Sequence, residues 1–195
     1  MKKLVKIIVV AAFAIGFGVT AQAQDRSASI ATNAEVFDAI SVANLTSLEF
    51  GQVMKGAKKY ISLAGDAASS DGEAVSSVGI RAGSFRVNAG AGAAVTLSFN
   101  NLSALTLVGE GDNRPTMPIL FNQNHLGDPV TTLGYGTSDS DITPLVLGAN
   151  SIVFPSTSVE NGNGTYVYVG ATVNPAADQA SGEYTGTLTL TATYN

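Results

Sequence analysis

Apolar and polar residues alternate along several stretches of the chain, most regularly over residues 184–194. Leu188, Leu190, Ala192 and Tyr194 occupy alternate positions there, and a threonine stands at each position between them. Successive side chains of a β-strand point to opposite faces. The pattern therefore predicts one long strand with an apolar face and a threonine face.

Shorter alternating or apolar stretches recur through the rest of the chain, separated by Gly, Asn, Asp, Ser and Pro. Such spacing is typical of short strands joined by turns. Further strands are predicted at 48–53, 59–64, 75–80, 84–87, 95–99, 105–108, 117–121, 130–133, 151–154 and 166–173. Residues 35–45 have some helical spacing, but their β-branched residues suit a strand equally.

The glycine-rich segments 90–92 and 109–111 are the only candidates for phosphate-binding loops. A phosphate loop needs a helix after its glycines, so that amide N–H groups point at the anion. Strand or turn residues follow both segments, so hairpin turns are predicted instead. Many short strands with such turns predict an all-β fold, either an antiparallel β-sandwich or a small barrel.

Residues 1–23 have the features of a secretory signal peptide. Three lysines stand in the first six residues, an uncharged and mostly apolar stretch covers 7–18, and Ala21 and Ala23 suit a cleavage site. The predicted organisation is a signal peptide at 1–23, an N-terminal arm at 24–38 and a β-sandwich domain at 39–195. No later segment is long and apolar enough to span a bilayer as a helix.

Composition narrows the range of functions. Apolar residues make up 45% of the chain and the formal net charge is −5, which becomes −8 once residues 1–23 are removed. An acidic chain with only ten Lys and Arg is not expected to bind nucleic acid. With no Cys and one His, His125, in a polar loop, we expect no disulfide, no metal site, no cofactor and no enzymatic activity.

The last segment resembles the C-terminal signature of chaperone–usher pilus subunits. That signature combines a glycine fourteen residues from the end, here Gly182, alternating apolar residues, and an aromatic residue next to the end, here Tyr194. Together with segments 48–51, 83–87 and 169–186, it also resembles an uncharacterised family of secreted bacterial domains. That family is similar to the Mat/Ecp-type (common pilus) fimbrial major subunits and to spore-coat-U-like pilins.

The resemblance implies an immunoglobulin-like sandwich that lacks one strand. A periplasmic chaperone would cover the gap, and the N-terminal arm of the next subunit would then replace it at an outer-membrane usher. The implied partners are copies of this chain, the chaperone and the usher, and the implied location is the periplasm and then the surface of a Gram-negative cell. The implied chaperone and assembly strand consists of Gly182, Leu188, Leu190, Ala192 and Tyr194.

The arm offers a matching donor strand. Ala28, Ile30, Ala34 and Val36 lie on one face of an extended segment, and Phe37 breaks the alternation. We expect Ile30 and Val36 to be the main anchors. The alternative is that residues 28–36 pair within their own domain as an ordinary first strand.

A second function is compatible with the same sequence. A self-complete, secreted β-sandwich could act as a binding module, for example for glycans. Such a module needs exposed aromatic side chains beside a groove, and the candidates are Tyr135, Tyr166 and Tyr168. Cross-strand packing is an equally good role for at least one of the last two.

Overall fold

A computed structural model describes residues 29–70, 78–137, 141–154 and 164–195. The predicted signal peptide and Ala28 lie outside this range. The chain divides into two compact units, Met1–Glu35 and Val36–Asn195. In the first unit, residues 29–35 are described and have no regular secondary structure. No helix in the described ranges has the length and apolar character needed to cross a membrane.

All regular structure in the described ranges is β, which confirms the predicted class. The strands are β1 (Ser41–Thr46), β2 (Glu49–Phe50), β3 (Lys59–Ile61), β4 (Ala67–Ser69), β5 (Ile80–Arg81), β6 (Gly83–Asn88), β7 (Ala94–Phe99) and β8 (Ala104–Leu107). They continue with β9 (Thr116–Leu120), β10 (Leu133–Gly136), β11 (Thr143–Pro144), β12 (Ala149–Val153), β13 (Thr165–Val169), β14 (Ala171–Val173), β15 (Tyr184–Thr185) and β16 (Leu190–Tyr194).

Two antiparallel sheets form the layers of the sandwich. The first has the order β1-β6-β13-β10-β11 and the second the order β12-β7-β16. Val87 and Val167 of the first sheet and Val95 and Leu97 of the second are fully buried in one core cluster. The antiparallel β-sandwich is thus confirmed, and its sheets are open rather than closed into a barrel.

A third antiparallel sheet, of order β15-β8-β9-β14-β3-β4, carries a second core cluster that includes Leu105, Met117 and Ile119. The chain passes from the first sheet to the third at Gly170, between β13 and β14. A Cβ at Gly170 would collide with the carbonyl oxygen of Ile61, so this close backbone approach requires glycine. The two core clusters adjoin because Leu48 and Phe121 pack against both.

The two glycine turns have different outcomes. Residues 109–111 connect β8 to β9, which pair with each other, so this hairpin is confirmed. The hairpin predicted at 90–92 is wrong, because β6 belongs to the first sheet and β7 to the second. The segment is a crossover between the layers, and local sequence carries no signal for the sheet that a strand joins.

The prediction of a single strand over 184–194 is also wrong. Residues 184–185 form β15 against β8, residues 190–194 form β16 against β7, and 186–189 between them are not in a strand. The predicted faces are nevertheless correct. Leu190 is in the core and Leu188 and Ala192 pack against it, while all five threonines of the segment are exposed.

Candidate functional site

β16 has one paired edge and one open edge. Its only partner strand in the described structure is β7. The Thr189 carbonyl accepts a hydrogen bond from the Asn100 N–H, and the Asn195 N–H donates to the Ala94 carbonyl, so these residues direct their backbone groups toward β7. Backbone groups alternate in direction along a strand. Those of Leu188, Leu190 and Ala192 therefore point to the open edge.

The core is also uncovered beside β1, the edge strand of the opposite layer. Val42 pairs with Val87 and lies on the same face of the sheet, which is the core face. Val87 is fully buried, whereas Val42 is 38% exposed. An apolar side chain on a core face should be covered by the facing sheet. Its exposure shows that the facing sheet leaves part of the core face of β1 uncovered.

An apolar groove of about 1020 Å³ lies between residues 44–53 and 181–188. It opens where β15 and β16 separate. Its apolar lining comes from both core clusters and includes Leu48, Phe85, Leu105, Met117, Ile119, Phe121 and Leu188. The charged lining residues are Glu49, Lys55 and Glu183. The groove thus has an apolar floor and a partly charged lining, as a site for an amphipathic strand requires.

A buried hydrogen-bond network holds one wall of the groove in place. The Gln179 side-chain amide donates to the Thr116 carbonyl at 3.1 Å and to the Tyr184 hydroxyl at 2.6 Å. The Tyr184 hydroxyl donates to the Ala180 carbonyl at 2.9 Å. This network fastens the segment before β15 to β9, while β16 stays with β7. The two attachments divide the last alternating segment between two sheets.

Lys59 holds the other wall. Only 3% of this residue is exposed, and its Nζ donates to the Gln52 carbonyl at 2.7 Å, in the loop after β2 that lines the groove. Burial lowers the pKa of Lys59 below its ordinary value of 10.5. Lys59 of β3 therefore holds the loop after β2 in its position along the groove.

The lowered pKa predicts a pH dependence of stability. Between the folded and unfolded pKa values of Lys59, the unfolded chain binds more protons, so the free energy of unfolding should rise as pH approaches 10.5. The pKa of Tyr60 is raised by burial and by Asp66, which should lower stability above pH 10. Thermal unfolding of wild type and Lys59→Met between pH 8 and 10 checks this. A rise of equal size in both proteins would contradict it.

Three of the four predicted donor residues are described. Ile30 is 89% exposed, Val36 is 93% exposed and Ala34 is also exposed. Residues 29–40 form no strand, so within the described range the alternative of an ordinary first strand is not observed. Ala28 lies outside the described residues. Among the described residues, the two side chains predicted to anchor the arm are therefore almost wholly exposed.

The predicted assembly residues fall into three groups. Leu188, Leu190 and Ala192 lie beside the open edge with their side chains toward the core. Gly182 is at the far end of the groove, with a φ of 146° and Leu107 so close that a Cβ would lie 2.5 Å from its Cδ1. Tyr194 is 37% exposed at the end of β16, where its side chain contacts Phe37.

Some groove residues were not predicted from sequence as functional. Leu48, Phe85 and Phe121 are partly buried apolar residues in predicted strands, and nothing local separates them from ordinary core residues. All three line the groove, which accounts for their incomplete burial. The one sequence signal for Leu48 and Phe85 was their position in the segments that resemble the secreted-domain family, at 48–51 and 83–87, and Phe121 had no such signal.

The tyrosines proposed for a glycan-binding module do not come together. Tyr135 pairs with Val167 on the core face and packs against the core. Tyr166 and Tyr168 lie on the opposite face of β13, with ring centroids 6.2 Å apart. His125 is half-buried in the loop after β9, and its buried Nδ1 has no hydrogen-bond partner within the described residues. No aromatic groove is formed by the three tyrosines.

The region that carries the groove coincides with a known family. Residues 40–194 match the family described as a domain of unknown function, DUF4402. The chain belongs to this family. The DUF4402 domain begins one residue before β1 and ends with the last residue of β16, so it includes both walls of the groove, while Ile30, Val36 and Phe37 precede it.

The match confirms the prediction of an uncharacterised family. The similarity of that family to Mat/Ecp-type and chaperone–usher pilins stays a prediction, because the match does not bear on it. No curated protein and no solved structure matches the chain.

Proposed function

We propose that this protein is a structural subunit of a bacterial surface fibre that polymerises by donor-strand addition. The observation that carries the proposal is the open edge of β16, with an apolar groove that reaches Leu188 just before this strand, and with Val42 38% exposed on the core face of β1. An unpaired edge of this kind is a template for another chain. Strand addition supplies main-chain hydrogen bonds, and pockets accept alternate side chains.

The arm of a second copy fits this edge in length and pattern. Ile30 to Val36 is seven residues, as is Leu188 to Tyr194, and seven residues of strand extend about 23 Å. Ile30, Thr32, Ala34 and Val36 would face the core between the two sheets, and the intervening Asn33 and Glu35 would face solvent. The exposure of Ile30 and Val36 supports this role, because insertion would remove both side chains from water.

Export places further demands on such a subunit. The signal peptide predicted at 1–23 would deliver the chain to the periplasm, where a chaperone would cover the open edge until an usher allows exchange. Without such cover, an exposed edge and apolar groove would favour aggregation. The proposal therefore includes a periplasmic chaperone, an outer-membrane usher and further copies of this chain as partners, with the cell surface as the final location.

Gel electrophoresis of the mature protein tests the proposal. Polymers joined by inserted strands should dissociate very slowly and give a ladder in SDS that collapses to one band after boiling. The sample should come from cells that also express a periplasmic chaperone and an outer-membrane usher. A single monomer band before and after boiling would instead favour a self-complete binding module.

A further inference from the structure

Four residues connect the start of the Val36–Asn195 unit to its last strand, and together they are called the clasp: Phe37, Asp38, Gly90 and Tyr194. The Phe37 and Tyr194 rings stack with centroids 5.4 Å apart and planes at 24°. The Tyr194 hydroxyl accepts a hydrogen bond from the Gly90 N–H at 2.8 Å and donates one to the Asp38 carbonyl. The donor and acceptor capacity of this hydroxyl is thus used within the clasp.

Gly90 makes room for the clasp. A Cβ at this position would lie 2.5 Å from Phe37 Cδ1 and 3.0 Å from Phe37 Cβ. Gly90 does not have a positive φ, so space rather than backbone conformation requires glycine here. The stacked ring of Phe37, the bonded hydroxyl of Tyr194 and the lack of a side chain at Gly90 are three separate features that support the same contact.

The clasp joins the two layers at the point where the chain enters the sandwich. Gly90 follows β6 of the first sheet, and Tyr194 ends β16 of the second. Phe37 and Asp38 stand only a few residues before β1. Among the described strands, β1 is an edge strand whose partner is β6, and five of its six residues are exposed.

We propose that the clasp anchors the root of the arm to β16, so that a pull on the arm does not peel β1 from β6. Without an anchor, tension on the arm would reach β1 first and break its pairs with β6 one at a time, starting at Ser41. With the clasp, the stacked rings and both hydroxyl bonds must break first. The resistance to pulling rests on the proposed function, because only a fibre applies tension through the arm. The anchoring of β1 by the clasp does not depend on that function.

Hydrogen exchange of the full chain tests the anchoring without any fibre. Ile30→Asp is included in all samples to keep the chain monomeric. Tyr194→Phe removes both hydroxyl bonds, Phe37→Ala removes the stacked ring, and Tyr166→Phe is the control for loss of a hydroxyl on an outer face. We expect β1 amides to exchange about tenfold faster in the two clasp variants than in the control. Amides of β7 and β13 should be unchanged, and equal β1 exchange in all samples would overturn the proposal.

Single-molecule pulling tests the load path. The chain has no Cys, so Ser29→Cys and Thr187→Cys give two unique handles, one on the arm and one beside the groove. With the clasp intact, we expect no lengthening before the domain unfolds. In Tyr194→Phe, release of residues 37–46 should give an early step of about 35 Å at lower force. Traces identical to those of the intact clasp would show that β1 is not protected by it.

Hydrogen exchange and the SDS gel together separate the proposed anchor from the proposed fibre. Faster β1 exchange in the clasp variants, together with a monomer band on the SDS gel, would retain the anchor and reject the fibre. A heat-sensitive ladder with unchanged β1 exchange would retain the fibre and reject the anchor.

Discussion

Ile30→Asp is expected to abolish polymers while leaving a folded, exported monomer bound to its chaperone. Ile30 is 89% exposed, so an aspartate there should not disturb the subunit that carries it. Inserted in the next subunit, the same carboxylate would leave water for the mainly apolar surface that Ile30 is proposed to cover. Burial of an unpaired charge costs several kcal/mol, which corresponds to a loss of about 1,000-fold or more in affinity.

The neighbouring position supplies a matched control. Ala31→Asp introduces the same charge one residue along, on the opposite face of an extended arm. We expect Ala31→Asp to keep the heat-sensitive ladder and Ile30→Asp to lose it, at equal amounts of exported protein. A ladder of unchanged yield in Ile30→Asp would refute the assignment of Ile30 as a donor anchor. Equal loss in both variants would show that the arm does not insert with this alternation.

Ala192→Pro should block strand addition and leave the domain folded. The Ala192 N–H points to the open edge of β16, so proline removes a donor that the subunit does not use for its own sheet. An inserted strand would lose one hydrogen bond and would keep a buried carbonyl without a partner, at a combined cost of about 2–4 kcal/mol. The polymer yield should therefore fall by a factor of about 30 or more.

Thr193→Pro is the contrasting variant. Thr193 pairs with Thr96, and its backbone groups point toward β7. Proline there breaks a bond within the sheet and should destabilise the domain by about 3 kcal/mol. Thermal unfolding of the two chaperone-free monomers measures the difference. If Ala192→Pro unfolds the domain as readily as Thr193→Pro, the edge of β16 at Ala192 is not open.

Local sequence predicted the faces of the strands better than their partners. Leu188, Leu190 and Ala192 pack toward the core, as the alternation predicts, because the two-residue period depends only on strand geometry. The break at 186–189 was not predicted. It depends on the bonds that Tyr184 makes with Gln179 and Ala180, which compete with the pairing of β16 to β7.

The same division applies to the candidate site. The arm was recognised from its alternation and from its place after a predicted signal peptide. That pattern could not decide whether the arm pairs within its own domain or remains exposed. The clasp had no sequence signal at all. Asp38 and Tyr194 are 156 positions apart, and no pattern along the chain predicts that a hydroxyl will bridge such a separation.

The sequence by itself determined the all-β class, the inward and outward faces, and the candidate arm, because each follows from local alternation, turn residues and composition. Only the tertiary structure decided which sheet each strand joins, where the core stays uncovered and what Tyr194 contacts. Those features depend on which strand edges pair and which apolar faces pack together, and the segments concerned lie far apart in the chain. The choice among the possible pairings is made only when all the strands fold together.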